Sequence, residues 1–152
     1  MAAFARDPPL TIQTLFKPDG PLASHIEGFK ARAPQLEMAE AVARAIKSGG
    51  RLLVEAGTGT GKTYAYLVPA LESGKRVVIS TGSKNLQEQL FYRDLPTITG
   101  ALSYTPPVAL LKGRSNYLCI ERMNRLLSES HLQKPDILND LVKVKSWSTA
   151  TD

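Results

Sequence analysis

A glycine-rich loop, set between an apolar run and a helix-forming run, is the feature that most constrains this chain. The loop reads EAGTGTGKT and occupies residues 55–63. Because glycine has no Cβ and tolerates positive φ, a loop rich in glycine can curl closely around a compact anion. Its backbone N–H groups and the positive end of the following helix then favour negative charge. A strand, such a loop and a helix in this order are typical of sites that hold a nucleoside triphosphate by its phosphates.

The last two residues of the loop are the candidate catalytic residues. Lys62 is expected to reach the β- and γ-phosphates as a compact cation, and the Thr63 hydroxyl is expected to ligate Mg²⁺. The backbone of the preceding positions is expected to contact the phosphates; these are Ala56, Gly57, Thr58, Gly59, Thr60 and Gly61. Ala56 stands where the strict pattern has glycine, at the start of the turn, where no contact with phosphate is required. The alternative is a flexible glycine loop followed by an accidental Lys-Thr pair.

Composition allows one domain with a hydrophobic core. The chain has 152 residues, of which 43% are hydrophobic and 22% are charged. Its net charge of +5 permits a polyanionic partner without requiring one. A single cysteine excludes an intrachain disulfide and indicates a reducing compartment. The first residues lack the apolar core of a secretory signal, and no run approaches the ~18 apolar residues of a membrane span. We therefore expect a cytoplasmic protein.

Apolar runs alternate with helical patterns, which predicts an α/β fold. Strands are predicted at 51–55, 76–80 and 108–111. Helices are predicted at 34–47, 62–72, 84–93, 119–129 and 135–147. Irregular structure is expected in an arm over 1–20 and in a loop over 96–107, with a short helical turn in 21–30. The order β-α-β-α-β predicts a parallel sheet flanked by helices, with the ligand at the carboxyl ends of the strands.

An acidic pair at the end of a further strand is not evident in the sequence. Enzymes of this class use such a carboxylate to complete the Mg²⁺ shell and to orient the attacking water. After the loop, Asp94 follows a polar helix, and Asp136 and Asp140 lie on a helix. These observations predict that the chain is the front part of a larger enzyme.

Four stretches, in the same order, resemble the DinG/XPD-like family of iron–sulfur superfamily 2 DNA helicases, in particular its bacterial YoaA-like branch. They are RAPQ at 32–35, the loop at 55–63, VVISTGSKNLQEQL at 77–90 and LLKGRSNYLC at 110–119. The similarity runs from about Pro18 to the last residue. It implies the first part of a RecA-like, P-loop ATP-binding domain over 21–111 and the truncated start of an inserted helical iron–sulfur domain over 112–152.

The resemblance also implies roles for individual residues. Gln35 would pair with adenine, since a carboxamide both donates and accepts hydrogen bonds, and Arg32 would support it or touch phosphate. A polar start to a helix is the alternative for both. Single-stranded DNA would be held through its phosphates by the turn that follows the second strand, which comprises Thr81, Gly82, Ser83 and Lys84. An ordinary turn with Ser83 as a helix cap is the alternative there.

Cys119 occupies the place of the first of four iron–sulfur ligands in the family. Because a [4Fe–4S] cluster generally needs four thiolates and this chain has one cysteine, the cluster is expected only in the full-length protein. A small buried hydrophobic residue is the alternative for Cys119. Trp147 is expected to lie in the core of this helical region.

The resemblance implies the N-terminal part of an ATP-dependent helicase that moves 5′→3′ on DNA in repair or replication. Its expected ligands are ATP, Mg²⁺ and single-stranded or forked DNA, with a replication or repair protein as a further partner. The chain alone is expected neither to hydrolyse ATP efficiently nor to unwind DNA. The alternatives are an unrelated P-loop NTPase such as a small kinase, and a non-catalytic module that binds nucleotide or DNA.

Overall fold

The structure of the protein, a computed structural model, describes residues 10–129 and 134–150. The chain divides into two compact units, Met1–Val108 and Ala109–Asp152. The helices of the first unit are α1 (Ile12–Leu15), α2 (Pro21–His25), α3 (Ala33–Ser48), α4 (Lys62–Glu72), α5 (Lys84–Gln89), a π-helix (Leu90–Asp94) and α6 (Leu95–Leu102). Those of the second unit are a 3₁₀-helix (Arg114–Asn116), α7 (Ile120–Ser128) and α8 (Pro135–Ala150).

Helices α3 and α4 confirm the two helices predicted on either side of the glycine-rich loop. Pro34 lies in the first turn of α3, where a missing N–H costs nothing. Gly49 ends α3 in the left-handed conformation, with φ of 68°, and its N–H bonds to the Ala45 carbonyl. Helix α4 continues through the buried Pro69 to Glu72. The two helices pack against each other and bracket the loop.

The core of the first unit lies between α4, α6 and the two short N-terminal helices. Its fully buried large side chains are Leu15, Leu22, Leu67, Val68, Ile98 and Leu102. The arm predicted over residues 1–20 is therefore not irregular throughout. Thr11 caps α1, and the residue that ends this helix, Leu15, is fully buried in the core. Residues 1–9 lie outside the described part of the chain.

The prediction of a loop over residues 96–107 is wrong for its first part, because α6 occupies Leu95–Leu102. Pro96 suggests a break, but it lies in the first turn of α6, where proline is tolerated. Ile98, Ala101 and Leu102 then give the helix a buried apolar face. The segment from 84 to 102 is consequently one helical run with a π-helix in the middle.

The parallel sheet predicted from the three apolar runs is not formed, since the described residues contain no strand. The runs 51–55, 76–80 and 108–111 have no regular secondary structure. Leu53, Val78 and Leu111 are 99%, 91% and 81% exposed. A strand requires a neighbouring strand for its backbone hydrogen bonds, and none of these runs has one in the described structure.

The second unit is helical and has little core. Helices α7 and α8 confirm the predictions at 119–129 and 135–147, and the two helices pack against each other. Trp147 was expected in the core but is 58% exposed, because α8 buries none of its side chains fully. Across the described residues, no helix is long and apolar enough to cross a membrane.

Truncating Ile98 should destabilise the first unit strongly. This side chain is fully buried in α6, so Ile98→Ala removes apolar contacts and leaves a cavity, at a cost of about 2–5 kcal/mol in unfolding free energy. Ile137→Ala, at a position 47% exposed in α8, is the matched control and should cost less than about 1 kcal/mol. Urea unfolding followed by circular dichroism measures both, and equal costs would contradict the placement of α6 in the core.

Candidate nucleotide-binding site

The glycine-rich loop ends at the N-terminus of α4. Gly59 and Gly61 have φ angles of 77° and 79°, which favour glycine, and Gly61 is the N-cap residue of the helix. Since glycine has no side chain to cap the first N–H groups of α4, these groups remain available to donate hydrogen bonds to an anion. The Thr60 hydroxyl donates a 3.0 Å hydrogen bond to the Gly57 carbonyl and closes the turn from within.

The Lys62 ammonium lies against the backbone of its own loop. Its Nζ donates hydrogen bonds of 2.8 Å to the Ala56 carbonyl and 2.7 Å to the Gly57 carbonyl. The cation is thus held beside the backbone that the sequence predicts to surround phosphate. Phosphate oxygens are charged and make stronger acceptors than carbonyls, so this side chain can exchange one set of partners for the other.

Gln35 joins α3 to the end of the loop. Its Nε2 donates a 3.0 Å hydrogen bond to the Gly61 carbonyl, and the residue is only 5% exposed. Its Oε1 is buried without a hydrogen-bond partner among the described residues. A Cβ on Gly61 would lie 2.0 Å from Nε2, so the Gln35 amide must move to admit any other residue there. Contact of Gln35 with adenine stays a prediction, but its position beside the loop is established.

Arg32 lies at the N-cap of α3 and is exposed. It borders a cavity of about 290 Å³ between the start of α3 and the region of α1. The cavity is lined by Gln13, Phe16, Lys17, Pro18, Ala31, Arg32, Ala33 and Leu36. The contribution of the arm to this cavity was not predicted from sequence. The adjacent apolar pair Leu15 and Phe16, both buried, was the signal that part of the arm packs on the domain.

Two tyrosines of α4 follow the loop and were also missed from sequence. Burial raises the pKa of Tyr66 above its usual value, a hydrogen bond with Thr63 lowers it, and the charge of Asp94 raises it. Burial also raises the pKa of Tyr64, as does Asp94, whereas Arg93 lowers it. Both phenols are therefore protonated at neutral pH and lie within electrostatic range of one carboxylate.

Asp94 is itself buried, being only 3% exposed. Its Oδ1 accepts a 3.0 Å bond from Arg93 Nε, and its Oδ2 accepts a 3.0 Å bond from Gln89 Nε2. The residue ends the π-helix, which packs against α4. A carboxylate that follows a polar helix gave no signal in the sequence, because its burial depends on the packing of two distant helices.

Stability should fall as pH rises above the usual tyrosine pKa of 10.0. The folded chain keeps the Tyr64 and Tyr66 protons at a pH where the unfolded chain loses them. The stabilisation is fully present below that value and is lost as pH rises through the folded pKa. Urea unfolding between about pH 9 and 11 should show a shallower decline in the double variant Tyr64→Phe/Tyr66→Phe than in the wild type. An equal decline of stability with pH in both proteins would contradict the raised pKa values of Tyr64 and Tyr66.

The turn that precedes α5 has the helix-cap geometry that the sequence offered as an alternative to DNA contact. Ser83 is the N-cap residue, and its Oγ accepts a 3.3 Å bond from the Leu86 N–H. The Thr81 hydroxyl donates to the Ser83 carbonyl at 3.2 Å. Gly82 and Lys84 are exposed. The capped turn is thus confirmed, and the contact of these four residues with DNA stays a prediction.

Cys119 is exposed at the N-cap of α7, so its interpretation as a buried hydrophobic residue is wrong. A 2.9 Å bond from the Lys112 N–H to the Tyr117 hydroxyl and a 3.1 Å bond from Asn116 Nδ2 to the Gly113 carbonyl order the preceding loop. In the part of the chain that the structure describes, no three His, Cys, Asp or Glu residues cluster as metal ligands would. With one cysteine in the chain, these residues do not fit a [4Fe–4S] cluster.

Comparison with known proteins agrees with the site. The model of the DEAD/DEAH box helicase family matches residues 36–147. The ATP-dependent DNA helicase YoaA of Haemophilus influenzae is 54% identical over 140 residues, which are 92% of this chain and 22% of the relative. YoaA of Escherichia coli is 59% identical over 136 residues, which are 90% of this chain and 21% of the relative.

The ATP-dependent helicase DinG of Mycobacterium tuberculosis is 49% identical over 111 residues, which are 68% of this chain and 17% of the relative. The chain thus spans about a fifth of the length of these relatives. No solved structure matches it significantly. Because the family match covers well over half of the chain, the protein belongs to the DEAD/DEAH box helicases, a family that implies a RecA-like fold.

Proposed function

We propose that this chain is the N-terminal part of an ATP-dependent DNA helicase and supplies the phosphate-binding side of the ATP site. The observation that carries the proposal is the loop 55–61 at the start of α4, with the Lys62 ammonium held on the backbone that would surround phosphate. The helicase names of the relatives support the same function.

The residues at the end of the loop fit MgATP. Lys62 would bind the β- and γ-phosphates, and the Thr63 hydroxyl would be a ligand of Mg²⁺. The bound metal would supply positive charge that offsets the charge of the phosphates. The N–H groups at the start of α4 lie next to these side chains and would bind phosphate oxygens.

The adenine side of the site would be formed by the start of α3. Gln35 has one buried oxygen without a described partner, which can accept a hydrogen bond from an adenine amino group. Arg32 borders the 290 Å³ cavity at the start of α3 and would contact the base or a phosphate. A nucleotide that lies across the loop would then touch both helices that bracket it.

The three exposed apolar runs would be strands of the parallel sheet in the complete helicase. Contiguous exposed apolar side chains indicate a surface that a partner covers, and two of the runs show them here, at Leu52–Val54 and at Val77–Ile79. Both runs precede a turn assigned to ligand binding, which is where parallel strands of α/β domains end. The rest of the domain would supply the neighbouring strands that these runs lack.

The remaining roles belong to the full-length protein. The turn at 81–84, which is exposed at 82–84, would hold single-stranded or forked DNA by its phosphates. Movement would be 5′→3′, in repair or replication. Cys119 would be one of four ligands to an iron–sulfur cluster, together with cysteines outside this chain. The chain alone would bind nucleotide without turning it over efficiently.

Binding and hydrolysis measured on the purified chain test this proposal. A fluorescent ATP analogue should bind in the presence of Mg²⁺ and be displaced by ATP, without steady-state hydrolysis when single-stranded DNA is added. Robust DNA-stimulated hydrolysis that Lys62→Ala abolishes would contradict the inactivity of the chain alone. Phosphate transfer to a small acceptor would instead indicate a kinase, and absence of nucleotide binding would overturn the site.

A chimera tests the role in the whole enzyme. This chain would replace the matching 136 residues of Escherichia coli YoaA, with which it is 59% identical. The chimera should unwind forked DNA with ATP, and the same chimera with Lys62→Ala should not. A folded chimera that binds ATP but fails to unwind any DNA substrate of the parent enzyme would contradict the helicase proposal.

A further inference from the structure

The apolar run 51–55 presents two different faces. Leu53 is 99% exposed, whereas its neighbours Leu52 and Val54 are 45% and 40% exposed. This alternation is that of an extended segment, in which successive side chains point to opposite faces. Leu52 and Val54 line a cavity of about 510 Å³ together with apolar residues of α3, namely Met38, Val42, Ala45 and Ile46. One face of the run therefore lies toward α3, and the face that carries Leu53 is open to solvent.

The backbone of this run offers unpaired hydrogen-bonding groups. No N–H or C=O group of residues 51–55 bonds to another backbone group in the part of the chain that the structure describes. Unpaired backbone groups beside exposed apolar side chains form an edge to which another strand can add. The occupant of this edge must therefore be a further extended segment.

The two ends of the run carry opposite charges. Arg51 precedes the apolar residues and Glu55 follows them, and both side chains are exposed. Neither makes an ion pair within the described residues. When two copies of the run lie antiparallel, with the two Leu53 side chains opposite each other, Arg51 of each copy lies opposite Glu55 of the other. The run is thus complementary to itself in its apolar centre and in its charges.

The exposed run 76–80 lacks this complementarity. It begins with Arg76 and ends with Ser80, so antiparallel pairing with its own copy would give Arg76 no acidic partner. Antiparallel pairing of 51–55 with 76–80 would bring Glu55 opposite Arg76 but leave Arg51 opposite Ser80. The charges therefore favour pairing of 51–55 with the same run of a second copy.

We propose that, when this chain is not joined to the rest of a helicase, the run 51–55 forms a two-fold symmetric dimer in which two copies pair as antiparallel strands centred on Leu53. The edge used would carry the backbone groups of Arg51, Leu53 and Glu55, because it makes more hydrogen bonds than the opposite edge. Each copy uses that edge once, so the assembly closes at two copies. The inference goes beyond the proposed function, since it needs no nucleotide.

Sedimentation equilibrium of the purified chain tests the dimer. Because the contact is small, we expect a weak, reversible monomer–dimer equilibrium at about 10 µM to 1 mM. Leu53→Lys should raise the dissociation constant at least about 10-fold, since it places two like charges opposite each other. Val78→Lys, at the central exposed position of the run 76–80, is the matched control and should leave the constant unchanged. A monomer at every concentration, or equal losses in the two variants, would overturn the proposal.

A charge exchange tests the register. Arg51→Glu and Glu55→Arg should each raise the dissociation constant by about 5- to 100-fold, because each places like charges opposite each other at both ends of the pair. The double variant Arg51→Glu/Glu55→Arg restores both ion pairs and should return the constant to within about 3-fold of wild type. Arg76→Glu should have no effect. Failure of the double variant to recover would overturn the proposal, and so would a loss in Arg76→Glu, which would indicate pairing with 76–80.

Two further measurements separate this inference from loss of folding and from the proposed function. The substituted side chains are exposed, so circular dichroism of each variant, diluted until it is monomeric, should match the wild type. In the chimera with Escherichia coli YoaA, neighbouring strands of the complete domain would occupy the same edge, and Arg51→Glu should not change the association state. A chimera that dimerises through these charges would support the pairing of this run but contradict its role as an internal strand.

Discussion

Lys62→Ala should weaken nucleotide binding by about 100-fold or more, the largest effect of any single substitution in this chain. In the proposed complex the ammonium makes charge-assisted hydrogen bonds to two phosphates, each worth about 1.5–3 kcal/mol. The expected loss of about 3 kcal/mol corresponds to the stated change in Kd. Without nucleotide, Lys62 bonds only to the carbonyls of Ala56 and Gly57 in the described structure, so the fold should survive its removal.

Lys75→Ala is the matched control for Lys62→Ala. Its Nζ also donates to a backbone carbonyl, that of Ile46, at 2.6 Å, but it lies beyond the end of α4 and away from the loop. Both variants remove one positive charge and the hydrogen bonds of an ammonium to backbone carbonyls, two at Lys62 and one at Lys75. Titration of a fluorescent ATP analogue should give a wild-type Kd for Lys75→Ala. Equal losses in the two variants would show that general charge, rather than the loop, binds the nucleotide.

The helices next to the loop could be predicted from sequence because their signals are local. A glycine and a proline mark the ends of α3, and the pattern of the loop marks the start of α4. By contrast, Pro96 suggests a break when read alone, and its place in the first turn of α6 becomes clear only once the apolar face of that helix is packed. Local signals therefore located the helices next to the loop but did not reveal that the helical run from 84 continues to 102.

The parallel sheet predicted from signals of the same kind is not formed in the described residues. Continuous apolar runs such as 76–80 predict buried strands, but the pairing of a strand is decided by residues far away in the chain. The described residues provide no partner for these runs, and they remain exposed.

Some residues of the candidate site are marked by a local sequence pattern, and others are placed there only by packing. The loop pattern identified Lys62 and Thr63, since their roles follow from neighbours in sequence. Asp94 carries no pattern, because its burial comes from the packing of the π-helix against α4. The hydrogen bond from Gln35 to Gly61 joins residues 26 positions apart, and the spacing of residues could not reveal it. Residues that support a site are harder to predict than those that touch its ligand.

Gly61→Ala should destabilise the chain by about 2–5 kcal/mol and weaken nucleotide binding. Two independent costs contribute. A residue with a Cβ loses about 1–2 kcal/mol at the φ of 79° that Gly61 adopts. In addition, the new Cβ would lie 2.0 Å from Gln35 Nε2 and 2.8 Å from Gln35 Cδ. The amide must move, which breaks its bond to the Gly61 carbonyl and leaves a buried polar group unsatisfied, at about 1–3 kcal/mol.

The other glycines of the loop separate these two costs. Gly59 has a φ of 77° but open space where a Cβ would be, so Gly59→Ala should show only the backbone cost of about 1–2 kcal/mol. Gly57 has open space and no positive φ, so Gly57→Ala should change the unfolding free energy by less than about 0.5 kcal/mol. Urea unfolding should therefore rank the costs in the order Gly61, Gly59, Gly57.

A Gln35→Ala background gives the decisive comparison. With the amide removed, Gly61→Ala no longer displaces a buried polar group, and its additional cost should fall to that of Gly59→Ala. Such coupling is expected for residues in contact and absent for independent sites. If Gly61→Ala costs the same in both backgrounds, the contact between α3 and the loop does not contribute to stability. The cost of Gly61→Ala can be compared with that of Gly59→Ala in the Gln35→Ala background. If the cost falls for Gly61→Ala and does not change for Gly59→Ala, Gln35 holds the last turn of the loop in the conformation from which α4 begins.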